Sequence, residues 1–149
     1  MTESRGGEAR SEPRQRPGVL SVTVVNAKNL DELDLDSESD PYVVLTMDGM
    51  QQQTTRTVKN NNNPDWNEPF EFTVRHPTRS VLRAQVFDWN RWTDHGRLGW
   101  VEIGVNEVSS SDGGLEDEYL LNETRRGGTL KLSLLFSEVP DPSDRQSHG

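Results

Sequence analysis

Apolar residues recur along the chain in short bursts, every second position, with turn-forming residues between them. Val19-Leu20-Ser21-Val22-Thr23-Val24-Val25 is β-branched and partly alternating, Phe70-Glu71-Phe72-Thr73-Val74 alternates strictly, and Tyr42 to Met47 follows a proline. Gln53 to Val58 is Thr-rich and polar, as an edge or one-faced strand would be. Val81–Phe87, Leu98–Val105, Glu118–Leu121 and Leu130–Phe136 bring the candidate strands to eight. Turn chemistry separates them at Asp48-Gly49, Asn60 to Pro64, His76-Pro77, Ser110 to Gly114 and Arg126-Gly127-Gly128. No stretch between 18 and 139 carries the 3.6-residue period of an amphipathic helix, and Asn106 to Ser111 allows a single helical turn. Eight short strands at this spacing predict an all-β chain folded as an eight-stranded antiparallel β-sandwich. Residues 1–17 and 140–149 are polar and are expected to be disordered tails around one domain spanning 18–139.

Composition narrows the chemistry. Leu, Ile, Val and Phe make up 33 of the 149 residues, enough for one core but not for a chain folded throughout. Cysteine is absent, which excludes a disulfide framework, a thiolate zinc site and a cysteine nucleophile. No apolar run reaches membrane-spanning length and no hydrophobic signal segment follows Met1, so a cytoplasmic location is expected. The net charge is −9, which argues against nucleic acid as a partner. The tails nearly cancel, so the imbalance lies within 18–139. Gly-rich phosphate loops, Gly-x-Ser-x-Gly elbows and His-paired nucleophiles are all missing, and no enzymatic activity is expected.

The charge has a focus. Six of the ten residues from Asp31 to Asp40 are acidic and none is basic. Crowded carboxylates repel unless water or a cation screens them, so the segment is either a solvated acidic loop or a hard-cation site. An EF-hand register starting at Asp34 fails, because Ser39 stands where the sixth position needs Gly and Leu45 where the twelfth needs Glu. A second polar loop, Asp88 to Gly99, leaves the fifth strand. Alternate loops of a sandwich cluster at one end, so the two loops can share an edge and bring Asp34, Asp40, Asp88, Asn90 and Asp94 toward one ion.

At these residues the chain resembles the C2 domains of protein kinase C, synaptotagmins and phospholipases. Asn29-Leu30, Asp34 and Ser39-Asp40-Pro41-Tyr42-Val43 are similar to the family's first calcium-binding loop. Asn63-Pro64-Asp65-Trp66-Asn67-Glu68-Pro69-Phe70 is similar to its central turn and strand, and Val86-Phe87-Asp88-Trp89-Asn90-Arg91 with Leu98-Gly99 to its third loop. A polar tail before the first core strand and a full strand after the seventh resemble the phospholipase-like (type II) topology of the family.

The resemblance implies calcium-dependent peripheral binding to anionic, phosphatidylserine-like membranes, with a monomer expected and the chain cytoplasmic until calcium recruits it. It implies five acidic ligands. Asp34, Asp40 and Asp88 match, Asn90 stands at the fourth position, and Gly96 stands where the last aspartate is expected. Asn90 offers a neutral oxygen, Asp94 lies two residues before Gly96, and Thr93 occupies a place where the family often has Ser. Backbone carbonyls of Leu33 and Trp89 would complete the shell, whereas Asp36 is expected to be solvated. Fewer charges imply one calcium ion, or two, bound at roughly 10⁻⁵–10⁻³ M without lipid. Leu35 and Trp92, with Arg91 beside the Trp, are the expected membrane contacts at the loop tips, where tryptophan favours the interface. The region of Gln51-Gln52-Gln53 is where some members carry a lysine cluster, and only Arg56 and Lys59 are basic there. The rival reading is a calcium-independent protein-interaction module with a protein partner, favoured by Asn90 and Gly96.

Overall fold

The computed structural model describes residues 16–33 and 37–139. Eight strands form: β1 (Gly18–Lys28), β2 (Pro41–Met47), β3 (Gln51–Thr54), β4 (Asp65–Val74), β5 (Val81–Asp88), β6 (Gly96–Gly104), β7 (Leu115–Leu120) and β8 (Thr129–Glu138). A five-residue helix, α1 (Val105–Ser109), follows β6, close to the single turn expected at 106–111. The strands make two four-stranded antiparallel sheets, ordered β4-β1-β8-β7 and β3-β2-β5-β6. The last strand enters between β1 and β7, pairing Gly18 with Glu138 and Leu115 with Leu134. The first sheet is thus completed from the C-terminal side, which is the expected phospholipase-like order.

Period-two alternation sets the core. Leu20, Val22 and Val24 of β1, Val43, Leu45 and Met47 of β2, Leu82, Ala84 and Val86 of β5, and Leu130, Leu132 and Leu134 of β8 all point between the sheets and are buried. Trp66 is 2% exposed. It stays satisfied because its indole N–H donates to the Arg56 carbonyl at 2.9 Å. Trp100 instead sits half-buried on the outer face of its sheet, under the Arg83 guanidinium at 4.2 Å.

β3 departs from its expected range of 53–58. After Thr54 the segment leaves the ladder, with the Thr55 hydroxyl accepting the Val43 N–H at 2.9 Å. The strand begins instead in the glutamines. Gln51 donates through Nε2 to the Thr73 carbonyl at 2.7 Å and accepts the Thr73 N–H at 3.0 Å, and Gln53 Nε2 donates to the Glu71 carbonyl at 2.7 Å. The Arg56 guanidinium donates to the carbonyls of Trp66 and Asp65, each at 3.0 Å. β3 and β4 are edges of different sheets, so these side chains close one open side of the sandwich and cap backbone groups that would invite a foreign strand.

Antiparallel pairing gathers four connections at one pole. Lys28 lies opposite Thr129, Pro41 opposite Asp88, Asp88 opposite Gly96, and Asn26 opposite Asp65. Loop 1 (29–40), loop 2 (55–64), loop 3 (89–95) and the β7–β8 connection (121–128) therefore share that end. Among the described residues, no helix is long and apolar enough to cross a membrane.

Candidate functional site

Loop 1 is fastened from both sides. Asp31 is 7% exposed, and its carboxylate accepts the N–H groups of Arg125 at 3.0 Å and Arg126 at 2.9 Å. Its carbonyl accepts the Ser39 hydroxyl at 2.7 Å. From the other side come the asparagines of loop 2. Asn60 accepts the Glu38 N–H at 3.0 Å, Asn62 the Ser39 N–H at 2.9 Å, and Asn63 the Asn29 N–H at 2.8 Å. Glu32 accepts the Asn62 side-chain amide at 2.5 Å, and Glu38 accepts the Asn62 N–H at 3.0 Å. Asparagine suits the task because one side chain offers both donors and acceptors, and because Asn29 and Asn60 also take left-handed φ of 58° and 53° at little cost. Three of the six acidic side chains of the run, Asp31, Glu32 and Glu38, are therefore taken up in holding the loop.

Asp40 and Asp88 are brought together. The Asp40 N–H donates to Asp88 Oδ1 at 2.8 Å, the Asn60 N–H donates to Asp40 Oδ1 at 2.6 Å, and the Trp89 N–H donates to the Asp40 carbonyl at 2.9 Å. Asp88 is buried, and Asp40 half-buried. Asp40, Trp89, Asn90, Arg91 and Trp92 line one open cleft of about 300 Å³. Asp40 thus lines the cleft, and Asp88, 48 residues further along, is hydrogen-bonded to its backbone.

Loop 3 rests largely on itself. Asn90 Oδ1 accepts the N–H groups of Trp92 at 2.8 Å and Thr93 at 3.3 Å, an Asx turn that aims its oxygen back at its own backbone. The Thr93 hydroxyl donates to the Asp94 carbonyl at 3.2 Å. Trp92 is 83% exposed, with the Arg91 guanidinium 5.8 Å from its ring. Both ends of the loop are pinned to an aromatic cluster on the outer face of the second sheet. Tyr42 stacks on Phe87 at 5.5 Å, His95 meets Tyr42 edge-on at 5.4 Å, and Trp89 lies 6.0 Å from His95. The Lys59 ammonium caps Trp89 at 3.8 Å. The Tyr42 hydroxyl and His95 Nδ1 share a hydrogen bond, and burial pushes the Tyr42 hydroxyl above the ordinary tyrosine range.

Position 96 has a local explanation. Gly96 faces Asp88 across the β5–β6 ladder, and a Cβ built on it would lie 2.2 Å from Leu33 Cδ1. Leu33, 49% exposed, occupies the space a side chain at 96 would need. Thr93 and Asp94 are exposed and do not line the cleft. Asp34, Leu35 and Asp36 lie outside the described residues. The oxygen donors present suit a hard cation in kind, since Asp40 and Asp88 each have one carboxylate oxygen anchored by a backbone N–H. They fall short in number: among the described residues no three acidic or histidine side chains gather as a metal-holding group. Sequence reasoning missed the clasp of Asn60 to Asn63, whose signal was four uncharged amide side chains in a row.

Comparison with known proteins agrees with this architecture. The family model described as C2 domain matches residues 18–121. Synaptotagmin-3 of Arabidopsis thaliana is 38% identical over 134 residues, which is 89% of this chain and 23% of that protein. The chain thus spans under a quarter of the length of that relative. Among solved structures, a C2 domain of plant Extended Synaptotagmin 1 is 30% identical with a TM-score of 0.78, covering 86% of this chain and 100% of that one. The calcium-bound pair of C2 domains of Extended-Synaptotagmin 2 is 28% identical with a TM-score of 0.75, covering 91% of this chain and 51% of that one.

Proposed function

The chain belongs to the C2 domain family, and on that premise we propose that it binds anionic phospholipid membranes peripherally and reversibly in response to calcium. The observation that carries this reading is the pairing of Asp88 with Asp40, which lines one cleft together with the exposed Trp92. Calcium would be held by Asp40 and Asp88 and by Asp34 from loop 1. The oxygens of Asn90, Asp94 and Thr93 and the carbonyls of Leu33 and Trp89 are secondary candidates. When bound, it supplies positive charge and open coordination positions for lipid phosphate or carboxylate oxygens.

The chain's own residues do the rest. The clasp of loop 1 fixes Asp40 before the ion arrives, so little ordering entropy opposes binding. Without the ion, the acidic rim repels an anionic surface; with it, that repulsion is cancelled locally. Trp92 and Leu35 are then free to enter the headgroup region, and Arg91 to meet phosphates. Two apolar tips give marginal, reversible association, as a recruited peripheral protein requires. A protein carrying this domain is accordingly expected in the cytoplasm and, on calcium entry, at a membrane face.

A thermal melt tests the cation first. Ligand that binds the folded state raises the melting temperature, so a rise with millimolar calcium that magnesium does not reproduce is expected. No shift at several millimolar calcium would favour the rival, a calcium-independent protein-interaction module. That rival draws its support from Asn90, turned onto its own loop, and from Leu33, lodged against Gly96.

A further inference from the structure

The loop pole carries a feature that neither loop 1 nor loop 3 accounts for. The β7–β8 connection, Leu121 to Gly128, is built as a rigid finger beside loop 1. The Thr124 hydroxyl accepts the N–H groups of Gly127 at 2.8 Å and Gly128 at 3.2 Å, and Gly127 takes a φ of 75°. Gly128 passes so close to β1 that a Cβ there would lie 3.0 Å from the Asn29 carbonyl oxygen. The Asn29 side-chain amide donates to the Arg126 carbonyl at 2.8 Å. Buried Asp31 grips the backbone N–H groups of both Arg125 and Arg126. Four contacts therefore fix where this finger points.

The two arginines are used differently. Arg126 turns inward, donating to the Leu30 carbonyl at 3.0 Å and lying 3.8 Å from Glu32. Arg125 is exposed, and among the described residues its guanidinium has no hydrogen-bond or ion-pair partner. An exposed cation on a fixed backbone, in a chain of net charge −9, needs no such scaffolding for solubility. On the loop 2 side of loop 1 stands Lys59, also exposed, over the Trp89 ring. The pole thus has an acidic centre, loop 1, between two cationic flanks.

We propose that Arg125 is a lipid-phosphate contact: a cationic finger, positioned through Asp31, that meets the anionic membrane surface when calcium has neutralised the centre. It rests on the membrane reading above and adds a third loop to the docking face. Arginine suits the role because its planar fork pairs with phosphate oxygens in two places. Asp31 is then a positioning residue, acting only through the backbone it holds.

The test is co-sedimentation of the full chain with vesicles of phosphatidylcholine alone or with phosphatidylserine, in calcium and in chelator. Arg125→Ala is expected to weaken binding to phosphatidylserine vesicles in calcium about fivefold, the weight of one basic residue near an anionic surface. Arg125→Lys should restore most of it, and the difference should shrink as salt rises. Calcium-induced thermal stabilisation of Arg125→Ala without lipid should match the unaltered chain, which separates this contact from the metal site. Equal vesicle binding by Arg125→Ala and the unaltered chain would overturn the contact while leaving the membrane reading intact. An equal loss on phosphatidylcholine vesicles, whose phosphates are balanced by choline, would also overturn it, since the contact would then not depend on an anionic surface. If the unaltered chain sediments with no vesicle, the membrane reading falls and the contact with it.

Discussion

Loops 1 and 3 meet at the same cleft, yet they are built in opposite ways. Loop 1 is tied by long-range hydrogen bonds to loop 2 and to the β7–β8 finger, and half of its acidic side chains serve those ties. Loop 3 is pinned at its two ends by Trp89 and His95 and otherwise folds on itself through Asn90, leaving Trp92 in water. The contrast teaches that charge density alone does not locate a binding site. Half of the acidic side chains in the most acidic segment are scaffold, while the less charged loop leaves Trp92 exposed. One rigid wall and one exposed wall are what a reversible docking site needs, since preorganisation on one side lowers the ordering cost on the other.

Substitutions can break or sharpen that contrast. The largest effect is expected on the rigid side. Asp31→Asn weakens charge-assisted hydrogen bonds to two backbone donors and should lower folding stability by about 1.5–3 kcal/mol, read by urea unfolding. A loss below a few tenths would mean the clasp is not holding the loop. Next comes the space beside Asp88. Gly96→Asp adds a carboxylate opposite Asp88 and should raise calcium affinity about tenfold once the Leu33 side chain swings aside, because affinity at such sites follows ligand charge. Isothermal titration of this variant alone and with Leu33→Ala shows whether Leu33 obstructs the position.

On the exposed side, Trp92→Ala should cut vesicle affinity about fivefold, a partial share of the roughly 1.5–3 kcal/mol that full burial of such a side chain supplies. The same variant should change stability by less than about 0.5 kcal/mol, since its indole packs on little in the free protein. The smallest effect is expected for Asn90→Ala. It removes an Asx turn in an exposed loop and should shift the unfolding midpoint only slightly, while a large shift would show that loop 3 is as firmly built as loop 1.

Much of this molecule was legible in the sequence, and the failures share one cause. Period-two alternation marks an inward face whatever the partner strand, so Val19 to Val25, Phe70 to Val74 and Leu130 to Phe136 could be recognised as strands from local pattern alone. The pairing of Asp40 with Asp88 followed from the sandwich gathering alternate loops at one end. β3 was displaced because its glutamines are held by β4, about twenty residues further along, through side chains that carry no alternation signal. The division of loop 1's carboxylates was hidden for the same reason. Asp31 is satisfied by Arg125 and Arg126, and Glu38 by Asn62, and nothing in the local sequence distinguishes those carboxylates from Asp40. Gly96 stands where the resemblance implies an aspartate, and no local signal shows that Leu33, on another loop, fills the space beside it.

The most direct test of calcium-switched membrane docking is sedimentation with phosphatidylserine vesicles in calcium and in chelator, comparing the unaltered chain with Asp88→Asn. The expected result is calcium-dependent sedimentation of the unaltered chain, with that dependence lost in Asp88→Asn while the variant still folds by circular dichroism. Sedimentation that is equal in calcium and chelator, or unchanged by Asp88→Asn, would contradict it.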